Sequence, residues 1–582
     1  MTVALPRPRH CRPRSLSDVA ALLDLVTPVD LGAPTRDVTG VTLDSRAVRP
    51  GDVYAALPGA NVHGATFARD ALRAGAVAVV TDSDGASRIA AAAAAEPGAE
   101  GQGEDGQGED SRPDGGPTDA GPVAGGQVDG GPTGAGPVDG GPTGAVPVDG
   151  GPNEVDGGPN AAPAPVLVVD RPRAHLGALA AYVYDNQPPR VTMVGITGTN
   201  GKTTTAYVLD SALRALAHVV GLIGTVETRI GEVRFPSART TPEAPDVHAL
   251  VACMREANVD TCVMEVSSHA LTLNRVDGLL FDVAIFTNLS QDHLDLHKTM
   301  GEYFAAKASL FTPQRCRRAI ICVDDEWGRR LAAQASVPVV TVGSRAETSP
   351  DYLVVGDPHD DGAFDLITPD GKVDLRTALP GAFNQVNTAV AYVALRELGI
   401  DPEAARAAVL TDPHVPGRME RVCAEPYAVV DFAHTPDAIA AALSALRARA
   451  RGRLIAVLGA GGDRDPLKRA AMGAAAALTA DVVVVTDDNP RWEDPSEIRG
   501  AVLAGTRVVA TSAEIVEIAD RRAAIRYAAD AARAAGPDSV LAVLGKGHET
   551  GQDIAGVVHP FDDRAELAAA LEVAGATQGR TQ

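Results

Sequence analysis

Short runs of apolar, β-branched residues alternate along most of this chain with stretches whose apolar positions recur every three or four residues. In the middle of the chain these runs are VTMVGITG, TCVMEVSS, FDVAIFTNL and RAIICVDD, at residues 191–198, 261–268, 281–289 and 318–325. Strands that are apolar throughout are typical of a parallel sheet with helices on both faces. With helices between the runs, such as one predicted over 302–311, the pattern predicts an α/β domain.

The same alternation begins again near residue 417, with the runs YAVVDFAH, RLIAVLGAG, DVVVVTDD and VLAVLGKG at residues 427–434, 453–461, 481–488 and 540–547. The first part of the chain differs, because residues 38–59 are rich in strand formers and turns. There AGAVAVVTD and APVLVVD, at residues 74–82 and 164–170, predict two buried strands of one sheet. A chain of 582 residues is too long for one core. We therefore predict three domains, at 1–189, 190–416 and 417–582.

A segment rich in Gly, Pro and Asp separates those two strands of the first domain. Residues 101–160 hold eleven acidic residues and one basic residue, Arg112, and a ten-residue unit beginning VDGGP repeats there. So few large apolar side chains gain too little free energy from burial to offset the entropy of ordering the backbone. We predict a disordered insert over 84–163. Two roles stay open for it: a tolerated surface insertion, or a segment that binds a partner or aids solubility.

Composition excludes several classes of protein. The six cysteines lie scattered without a CxxC pair, which predicts neither a disulfide framework nor a zinc site. No apolar run approaches the roughly 18 residues of a membrane span, and the N-terminus lacks the apolar core of a secretion signal. The net charge of -23 disfavours a nucleic-acid partner. We expect a cytoplasmic protein with no membrane or nucleic-acid partner.

The stretch VGITGTNGKTTTAYVL, residues 194–209, runs from a predicted strand through a glycine-rich turn into a predicted helix. Backbone N–H groups at a helix start bind phosphate oxygens, Lys202 can neutralise phosphate charge, and the Thr203 hydroxyl can ligate Mg²⁺. The usual pattern GxxxxGK[ST] is not matched strictly, because its first glycine would fall on Ile196. The strand before the turn and the helix after it nevertheless predict a nucleotide site.

Two further polar residues follow predicted strands of the same sheet. Glu265 lies in the second run and His293 follows the third. Ligands of an open parallel sheet bind beyond the carboxyl ends of its strands, so we expect both residues near Thr203. A carboxylate, an imidazole and a hydroxyl suit a Mg²⁺ ion that bridges phosphate oxygens. Singly, each residue has an ordinary structural explanation, and only their joint position favours a metal.

Nine short segments resemble the Mur ligase family and cover nearly the whole chain outside the insert and the termini: GITGTNGKTTT, EVSSHAL, TNLSQDHLDLH, YFAAKASLF, GRMERV, DFAHTPDAI, GAGGDRDPLKR, DDNPR and GKGHE. Within the family the chain looks most like the members that add the third amino acid to UDP-N-acetylmuramoyl-L-alanyl-D-glutamate. The resemblance implies three domains, with a central P-loop parallel-sheet ATPase domain and a C-terminal Rossmann-like domain. It implies an ATP-dependent ligase of peptidoglycan synthesis, a process on which cell shape and cell division depend. We expect the chain to be a monomer.

The resemblance implies that ATP phosphorylates a substrate carboxylate, and that an amine then attacks the acyl phosphate. The implied ATP-binding residues are Gly198, Thr199, Asn200, Gly201, Lys202, Thr203, Thr204, Asn387, Arg418, Asp431 and His434. It places Thr203 and Glu265 on one Mg²⁺ and His293 on a second. Lys307 matches the lysine that the family carbamylates, which would make it a further metal ligand; without the resemblance it is an ordinary surface lysine. The implied catalytic residues are Lys202, His293, Lys307 and Asp431.

For the UDP-linked substrate the resemblance implies Ser45, Asn61, Thr240, Thr241, Ser267 and Arg275. A guanidinium such as that of Arg275 is independently a good partner for phosphate or carboxylate. The three hydroxyl residues from 240 to 267 are as typical of helix caps as of ligand contacts.

Arg491 in DDNPR distinguishes the family members that take meso-diaminopimelate from those that take L-lysine. Diaminopimelate carries a carboxylate at its far end, which a guanidinium binds in two parallel hydrogen bonds, whereas L-lysine carries none. The other implied residues of this pocket are Arg464, Asn489, Pro490, Gly545 and Glu549, with Glu549 suited to the far ammonium. A solvated arginine beside an Asn-Pro turn is the structural alternative.

Three other functions stay open from the sequence. The chain resembles, less well, the Mur ligase that adds D-Ala-D-Ala and the folylpolyglutamate synthases; DNPR and LDSR disfavour both. The same ligase reaction with L-lysine is a second alternative. A nucleotide-binding scaffold without catalysis is a third, and the presence of every implied catalytic residue disfavours it.

Overall fold

The computed structural model describes residues 5–26, 36–59, 61–94, 164–186 and 190–572. From residue 95 onward the predicted insert lies outside the described residues. The described residues up to Ile89 and from Ala164 onward belong to one compact unit. Within the described ranges, no helix has the length and apolar character that crossing a lipid bilayer requires.

The first region carries a sheet of four parallel strands. Its elements are β1 (Arg14–Ser15), α1 (Leu16–Ala21), β2 (Asp37–Val38), β3 (Gly40–Thr42), β4 (Asp52–Ala55), α2 (Ala68–Arg73), β5 (Ala78–Thr81), α3 (Ser83–Ala94), β6 (Val166–Val168) and α4 (Pro172–Val183). The sheet order is β3-β4-β5-β6, and β1 and β2 form a separate antiparallel pair. Val79 of β5 lies opposite Val166 of β6. The two apolar runs around the insert therefore share one sheet, as predicted.

Helix α3 corrects the predicted start of the disordered insert. We predicted disorder from residue 84, but Ser83–Ala94 is helical. Alanine has the highest helix propensity, and Arg88 adds a hydrogen bond to Asp84 one turn earlier at 2.8 Å. The prediction weighed only the lack of large apolar side chains, and an alanine-rich helix needs few of them.

The middle region is built on a sheet of eleven strands. Its elements are β7 (Thr192–Thr197), α5 (Lys202–Ala215), β8 (Val220–Ile223), β9 (Glu227–Ile230), β10 (Val233–Pro236), α6 (Ala244–Glu256), β11 (Thr261–Glu265), α7 (Ser268–Thr272), β12 (Phe281–Phe286), α8 (Leu294–His297), α9 (Met300–Ala308), β13 (Cys316–Cys322), α10 (Glu326–Gln334), β14 (Val339–Gly343), β15 (Tyr352–Asp357), β16 (Asp360–Thr368), β17 (Gly371–Arg376), α11 (Ala382–Glu397) and α12 (Pro402–Val409). The strand order is β10-β9-β8-β11-β7-β12-β13-β14-β15-β16-β17.

Seven of these strands, from β8 to β15 in sheet order, run parallel, and antiparallel strands extend both edges. Successive residues of a strand face opposite sides of the sheet. Met193 therefore packs in one core and Val194 in another, each buried. This arrangement explains why the predicted strands are apolar throughout, and it places the residues that follow β7, β11 and β12 at one edge.

The last region carries a second largely parallel sheet. Its elements are β18 (Glu420–Ala424), β19 (Tyr427–Asp431), α13 (Pro436–Arg449), β20 (Leu454–Leu458), α14 (Lys468–Thr479), β21 (Val482–Val485), α15 (Pro495–Arg507), β22 (Glu514–Glu517), α16 (Arg521–Ala535), β23 (Val540–Leu544), β24 (Gly551–Ile554), β25 (Val557–Pro560) and α17 (Asp563–Ala570). The strand order is β18-β19-β23-β20-β21-β22, with only β18 antiparallel. The hairpin β24–β25 stands apart from this sheet.

Candidate active site

The loop between β7 and α5 has the backbone of a phosphate-binding turn. Gly198 has a φ of +149°, and a Cβ atom there would lie 1.9 Å from the Thr287 hydroxyl oxygen. A larger residue would displace the end of the neighbouring strand. The amides of Thr199 and Asn200 donate at 2.9 Å to the backbone and side-chain oxygens of Asn288. Helix geometry leaves the amides of the first turn of α5 for a phosphate.

Two lysine amines meet at one carbonyl of this loop. The Nζ atoms of Lys202 and Lys307 donate to the Gly198 carbonyl oxygen at 2.9 and 2.8 Å. Lys307 lies on α9, is 1% exposed, and has its Nζ 4.7 Å from the centre of the Tyr303 ring. The interpretation of Lys307 as a surface lysine is therefore wrong. Burial, reinforced by Lys202, holds the pKa of Lys307 well below its ordinary value, which favours the neutral amine.

Oxygen atoms of Thr203 and Glu265 lie side by side at the carboxyl edge of the sheet. The Thr203 hydroxyl donates to a Glu265 carboxylate oxygen at 2.9 Å. The Thr225 amide and hydroxyl donate to the two oxygens of the same carboxylate at 2.8 and 3.0 Å. Arg418 of the last region donates to the Thr203 hydroxyl oxygen at 3.1 Å. This contact joins the loop to the last region of the chain.

The donor chemistry around Thr203 fits Mg²⁺, which prefers hard oxygen ligands and keeps several waters. Among the described residues, no group of three or more His, Cys, Asp or Glu side chains is placed to hold a metal. A cation here would thus take most of its ligands from water and phosphate oxygens. Mg²⁺ bound through one or two carboxylates and a substrate phosphate has this character.

His293 lies beside this edge with its ring centre 4.8 Å from that of His269. Its backbone is left-handed, with a φ of +54°. Burial lowers the pKa of His293 to about 3; Asp292 opposes this shift, and His269, Lys307 and Lys202 add to it. The imidazole is therefore neutral at physiological pH, the form that ligates metals.

Asp292 makes a contact that the sequence analysis missed. Its Oδ1 accepts a hydrogen bond from Lys468 of α14 at 3.0 Å, and His434 Nε2 lies 3.9 Å from Oδ2. Burial would raise the pKa of Asp292, but His293 and these two neighbours lower it by more. The two residues of the ion pair lie 176 positions apart, so no local pattern signals it.

The predicted nucleotide residues beyond the loop lie on α11, in the turn before β18, at the end of β19 and just after it. Asn387 on α11 accepts a hydrogen bond from the Thr205 hydroxyl of α5 at 3.3 Å. Asp431 ends β19 and accepts the amide of Met419 at 2.7 Å. Asp431 therefore supports the turn that carries Arg418, whose guanidinium reaches the loop.

Four of the six residues predicted for the UDP-linked substrate lie together near the end of β11. The Thr241 hydroxyl donates to the last carbonyl of β11 at 2.8 Å and lies 3.4 Å from the Ser267 hydroxyl; Thr240 precedes it. Arg275 donates to the Thr241 carbonyl at 3.2 Å and pairs with Glu243 at 2.9 Å. Ser267 also caps α7, so the structural interpretation holds for it as well.

Ser45 and Asn61 belong to the first region. Ser45 begins a 3₁₀ turn, Ser45–Ala47, and Asn61 is exposed in the loop after β4. In the described ranges no hydrogen bond joins either residue to the other four. The structure therefore brings together only part of the predicted UDP-substrate set.

The residues predicted for the amino acid lie on loops that follow β20, β21 and β23. The Asn489 amide nitrogen donates to Glu549 Oε2 at 2.8 Å. Arg491 has a φ of +52° and donates to the Gly462 carbonyl at 2.5 Å. Gly462 lies two residues before Arg464. The loop after β21 thus meets both of the others: Asn489 contacts Glu549 on the loop after β23, and Arg491 contacts Gly462 on the loop that carries Arg464.

Lys546 is a further residue of this pocket that the sequence analysis did not assign. Its side chain is fully buried, and its Nζ donates to Asn489 Oδ1 at 2.9 Å and to Glu549 Oε2 at 3.0 Å. It lies inside the GKGHE segment used for the resemblance. A lysine between two glycines carries no local signal of burial, so the sequence could not have assigned it.

Comparison with known proteins identifies the family. Three family models match the chain: the Mur ligase family catalytic domain at residues 37–106, the Mur ligase middle domain at 196–395, and the Mur ligase glutamate ligase domain at 417–547. The chain belongs to the Mur ligase family. The predicted family and its α/β fold are confirmed.

Individual relatives of this Mur ligase cover nearly its whole length. The UDP-N-acetylmuramoyl-L-alanyl-D-glutamate--2,6-diaminopimelate ligase of Streptomyces avermitilis is 45% identical over 97% of this chain and 98% of its own. The UDP-N-acetylmuramyl-tripeptide synthetase of Leifsonia xyli is 40% identical over 98% of both chains. A solved structure of a UDP-N-acetylmuramoyl-L-alanyl-D-glutamate--2,6-diaminopimelate ligase has a TM-score of 0.58 and 26% identity, and the match covers 96% of this chain and 99% of that one. The predicted resemblance to ligases that extend this UDP-linked precursor is confirmed.

Proposed function

We propose that this Mur ligase joins meso-diaminopimelate to UDP-N-acetylmuramoyl-L-alanyl-D-glutamate with hydrolysis of ATP to ADP. The observation that carries the proposal is the contact of Arg418 with Thr203. It couples the phosphate loop and the Glu265 carboxylate to the region that holds the predicted amino-acid pocket. The relatives that match nearly the full length carry names for this reaction or for the synthesis of its tripeptide product.

In this proposal the loop from Gly198 to Thr204 binds the ATP phosphates. Lys202 exchanges its two backbone carbonyl partners for phosphate oxygens. Burial lowers the pKa of Lys202, and phosphate oxygens favour its charged form again. Asn387, Arg418, Asp431 and His434 face the remainder of the nucleotide. Phosphoryl transfer needs such positioning and charge neutralisation more than covalent help.

Thr203 and Glu265 would hold one Mg²⁺, and the neutral imidazole of His293 would hold a second. When bound, Mg²⁺ neutralises charge on the phosphate oxygens. Arg418, which already touches Thr203, adds a fixed positive charge at the same place. These protein groups would thereby orient the phosphate chain.

Lys307 would act as a carbamate in this proposal. Its neutral amine attacks CO₂, an N–C bond forms, one proton leaves, and a carbamate anion results. The buried, low-pKa amine supports this step because only the unprotonated form is nucleophilic. The resulting negative charge would lie beside Lys202, whose amine shares the Gly198 carbonyl with Lys307. An oxygen ligand for the second cation would thereby form at the end of α9.

The chemical steps follow from the poor electrophilicity of a carboxylate. A substrate carboxylate oxygen attacks the ATP γ-phosphorus, which gives an acyl phosphate and ADP. The free amine of diaminopimelate then attacks the acyl carbon, a tetrahedral intermediate forms, and phosphate leaves as the amide bond is completed. Ser45, Asn61, Thr240, Thr241, Ser267 and Arg275 would hold the UDP-linked substrate in line with ATP.

Arg491 and Arg464 would bind the far carboxylate of diaminopimelate, with Asn489, Pro490, Gly545 and Glu549 around the far ammonium. The carboxylate would take over Arg491 from the Gly462 carbonyl that it now contacts. Charge-assisted bonds to a carboxylate are stronger than a bond to a neutral carbonyl, which favours the exchange. L-Lysine has no far carboxylate and leaves both guanidinium groups without that partner.

The deciding experiment measures product mass. Purified protein receives ATP, Mg²⁺ and UDP-N-acetylmuramoyl-L-Ala-D-Glu, with meso-diaminopimelate or L-lysine in parallel. We expect the tripeptide product with diaminopimelate and ADP release that depends on both acceptor and amine. Product with L-lysine but not with meso-diaminopimelate would support the ligase reaction and overturn the role proposed for Arg491. ATP binding without product would favour a scaffold.

The proposal includes the setting of the reaction. ATP and UDP-linked precursors are cytoplasmic metabolites, so we place the enzyme in the cytoplasm as a monomer that supplies peptidoglycan synthesis. The domain boundaries at residues 189 and 416 stay predictions; limited proteolysis followed by mass spectrometry tests them. Light scattering of the purified chain tests the monomer.

A further inference from the structure

We propose that Lys546 is a positioning residue for the far-end ammonium of the amino-acid substrate, which it serves by holding Asn489 and Glu549 in one fixed arrangement. The inference rests on the proposed function, because it concerns the same pocket. Lys546 itself does not touch the substrate in this account.

Three side chains form a closed triangle at the base of the pocket. Lys546 Nζ donates to Asn489 Oδ1 at 2.9 Å and to Glu549 Oε2 at 3.0 Å, and the Asn489 amide nitrogen donates to the same Oε2 at 2.8 Å. Lys546 is fully buried, whereas the Glu549 side chain is 35% exposed. The lysine is therefore the inner member of the triangle and the carboxylate the outer one.

The backbone around Lys546 explains why its side chain turns inward. Gly545 has a φ of +114°, and a Cβ there would lie 2.6 Å from an Asp488 carboxylate oxygen. Any larger residue would therefore be strained and would push the loop after β21 away. The loop after β23 consequently lies against the loop after β21, and Lys546 fills the space between the two.

The triangle determines which way the Asn489 amide faces. Asn489 Oδ1 accepts hydrogen bonds from Lys546 and from the Asp553 amide at 3.0 Å. Both of these groups are donors only, so the oxygen must face them and the NH₂ group must face Glu549. A flipped amide would place its NH₂ donors against two other donors, the Lys546 amine and the Asp553 amide, and would deprive both of this acceptor.

The same contacts prepare Glu549 for a cationic ligand. Oε2 receives two donors from within the protein, and in the described part of the chain no hydrogen bond reaches Oε1. Two fixed donors on one oxygen hold the carboxylate in place, while the partly exposed side chain offers the other oxygen to solvent. An ammonium ion matches the remaining acceptor in charge and in hydrogen bonding.

The test replaces Lys546 with methionine, which keeps the length and removes the charge and the donors. With ATP and the UDP-linked substrate saturating, we expect Lys546→Met to raise the KM for meso-diaminopimelate about 10- to 100-fold, the range for a lost charge-assisted contact. The kcat should stay within about threefold, because the activated carboxylate lies elsewhere. Lys372→Met is the matched control, since Lys372 is exposed and bonded to Asp365; its KM should equal that of the wild type.

A second substrate separates positioning from a structural role. 2-Aminopimelate keeps the reacting amine and the far carboxylate but lacks the far ammonium. We expect the wild type to prefer diaminopimelate and Lys546→Met to lose that preference. A loss of the same factor with both amino acids would overturn the proposal, because a loosened pocket affects them equally. If the methionine variant does not fold, Lys546→Gln serves in its place.

A double-mutant cycle with Glu549→Gln completes the test. If Lys546 acts through Glu549, the lysine substitution adds little once Glu549 is neutral, and additive effects would contradict the proposal. Failure of this inference leaves the wild-type product intact. Failure of the proposed function is instead seen as absence of product with the wild type, so the two failures are distinguishable.

Discussion

Two fully buried lysines, Lys307 and Lys546, show how neighbouring groups decide what a buried amine does. Lys307 donates to a backbone carbonyl, lies over the Tyr303 ring and shares its acceptor with Lys202. Lys546 instead donates to the Glu549 carboxylate. Burial and Lys202 disfavour charge on Lys307 by more than Asp292 favours it. Lys546 instead forms a direct ion pair, with Glu549 Oε2 at 3.0 Å. The first site therefore favours a reactive neutral amine, and the second holds its lysine in an ion pair with a structural role.

The contrast extends to the regions around the two lysines. The middle region gathers the amines of Lys202 and Lys307 at a strand edge that also carries the Glu265 carboxylate, and the proposed phosphates and cations would bind among these groups. The last region is already built as ion pairs, and its Asp563 and Arg521 form a further buried pair at 2.7 Å. We expect changes in the middle region to act on turnover and changes in the last region to act on amino-acid affinity.

Of the substitutions that test this comparison, Lys202→Ala should have the largest effect, and it should act on turnover. Turnover should fall about 1,000-fold or more, because the phosphate loop loses the lysine proposed to bind the ATP phosphates, and phosphoryl transfer depends on charge neutralisation. The melting temperature should change by only a few degrees, since without substrate the amine contacts backbone carbonyls alone. Steady-state ADP release and differential scanning fluorimetry measure the two quantities, with Lys372→Ala as control. A large fall in melting temperature would assign Lys202 to the fold.

Lys307→Met tests the neutral-amine half of the comparison. We expect kcat to fall about 100-fold with little change in the KM for diaminopimelate, since a lost metal ligand weakens transition-state stabilisation. After equilibration with ¹³C-bicarbonate, NMR should show a carbamate signal in the wild type and none in the variant. An unlabelled wild type with full activity in CO₂-free buffer would exclude the carbamate.

Arg491→Ala tests the other side of the comparison, the expectation that the last region controls amino-acid affinity. The KM for meso-diaminopimelate should rise about 30- to 100-fold with kcat nearly unchanged, because the far carboxylate loses a guanidinium partner. Arg491→Lys is the matched variant: it keeps the charge but not the planar fork, so an intermediate KM is expected. Both variants retain a Cβ at the left-handed backbone position, so backbone strain does not differ between them. A fall in kcat without a rise in KM would contradict the expectation that changes in the last region act on amino-acid affinity.

The sequence could predict the middle site better than the pocket of the last region for a physical reason. Lys202 and Thr203 lie in one turn after a strand, and Glu265 ends the neighbouring strand, so strand order alone brings them together. The pocket of the last region depends on three loops that meet at particular distances. In this pocket Lys546 and its partner Asn489 lie 57 positions apart. Lys468 likewise lies 176 positions from its partner Asp292 in the middle region. Contacts between residues so far apart in the sequence produce no periodic pattern from which the burial or the pairing could be predicted.

A buried base whose hydrogen-bond partners are neutral should stay uncharged. His248 of α6, which lies outside the proposed site, tests this rule. His248 is fully buried, its Nε2 lies 3.0 Å from the Asp277 carbonyl oxygen, and its Nδ1 lies 3.4 Å from the Asn186 amide nitrogen. The carbonyl accepts a hydrogen bond from Nε2–H and the Asn186 amide donates one to Nδ1, which is the pattern of the neutral ring. Burial lowers the pKa of His248 to about 4.

Because the folded-state pKa of His248 lies below the unfolded value of about 6.5, the unfolded chain binds the extra proton first as pH falls. The stability that His248 provides is therefore complete above about pH 6.5 and is lost as the pH falls towards 4, by about 2 kcal/mol at pH 5. In His248→Gln the melting temperature should fall less between pH 7 and pH 5 than in the wild type. His359→Gln, at an exposed position, should keep the wild-type slope. Equal slopes for His248→Gln and the wild type would show that burial with neutral partners does not hold this base uncharged, and would remove the physical ground for a neutral Lys307.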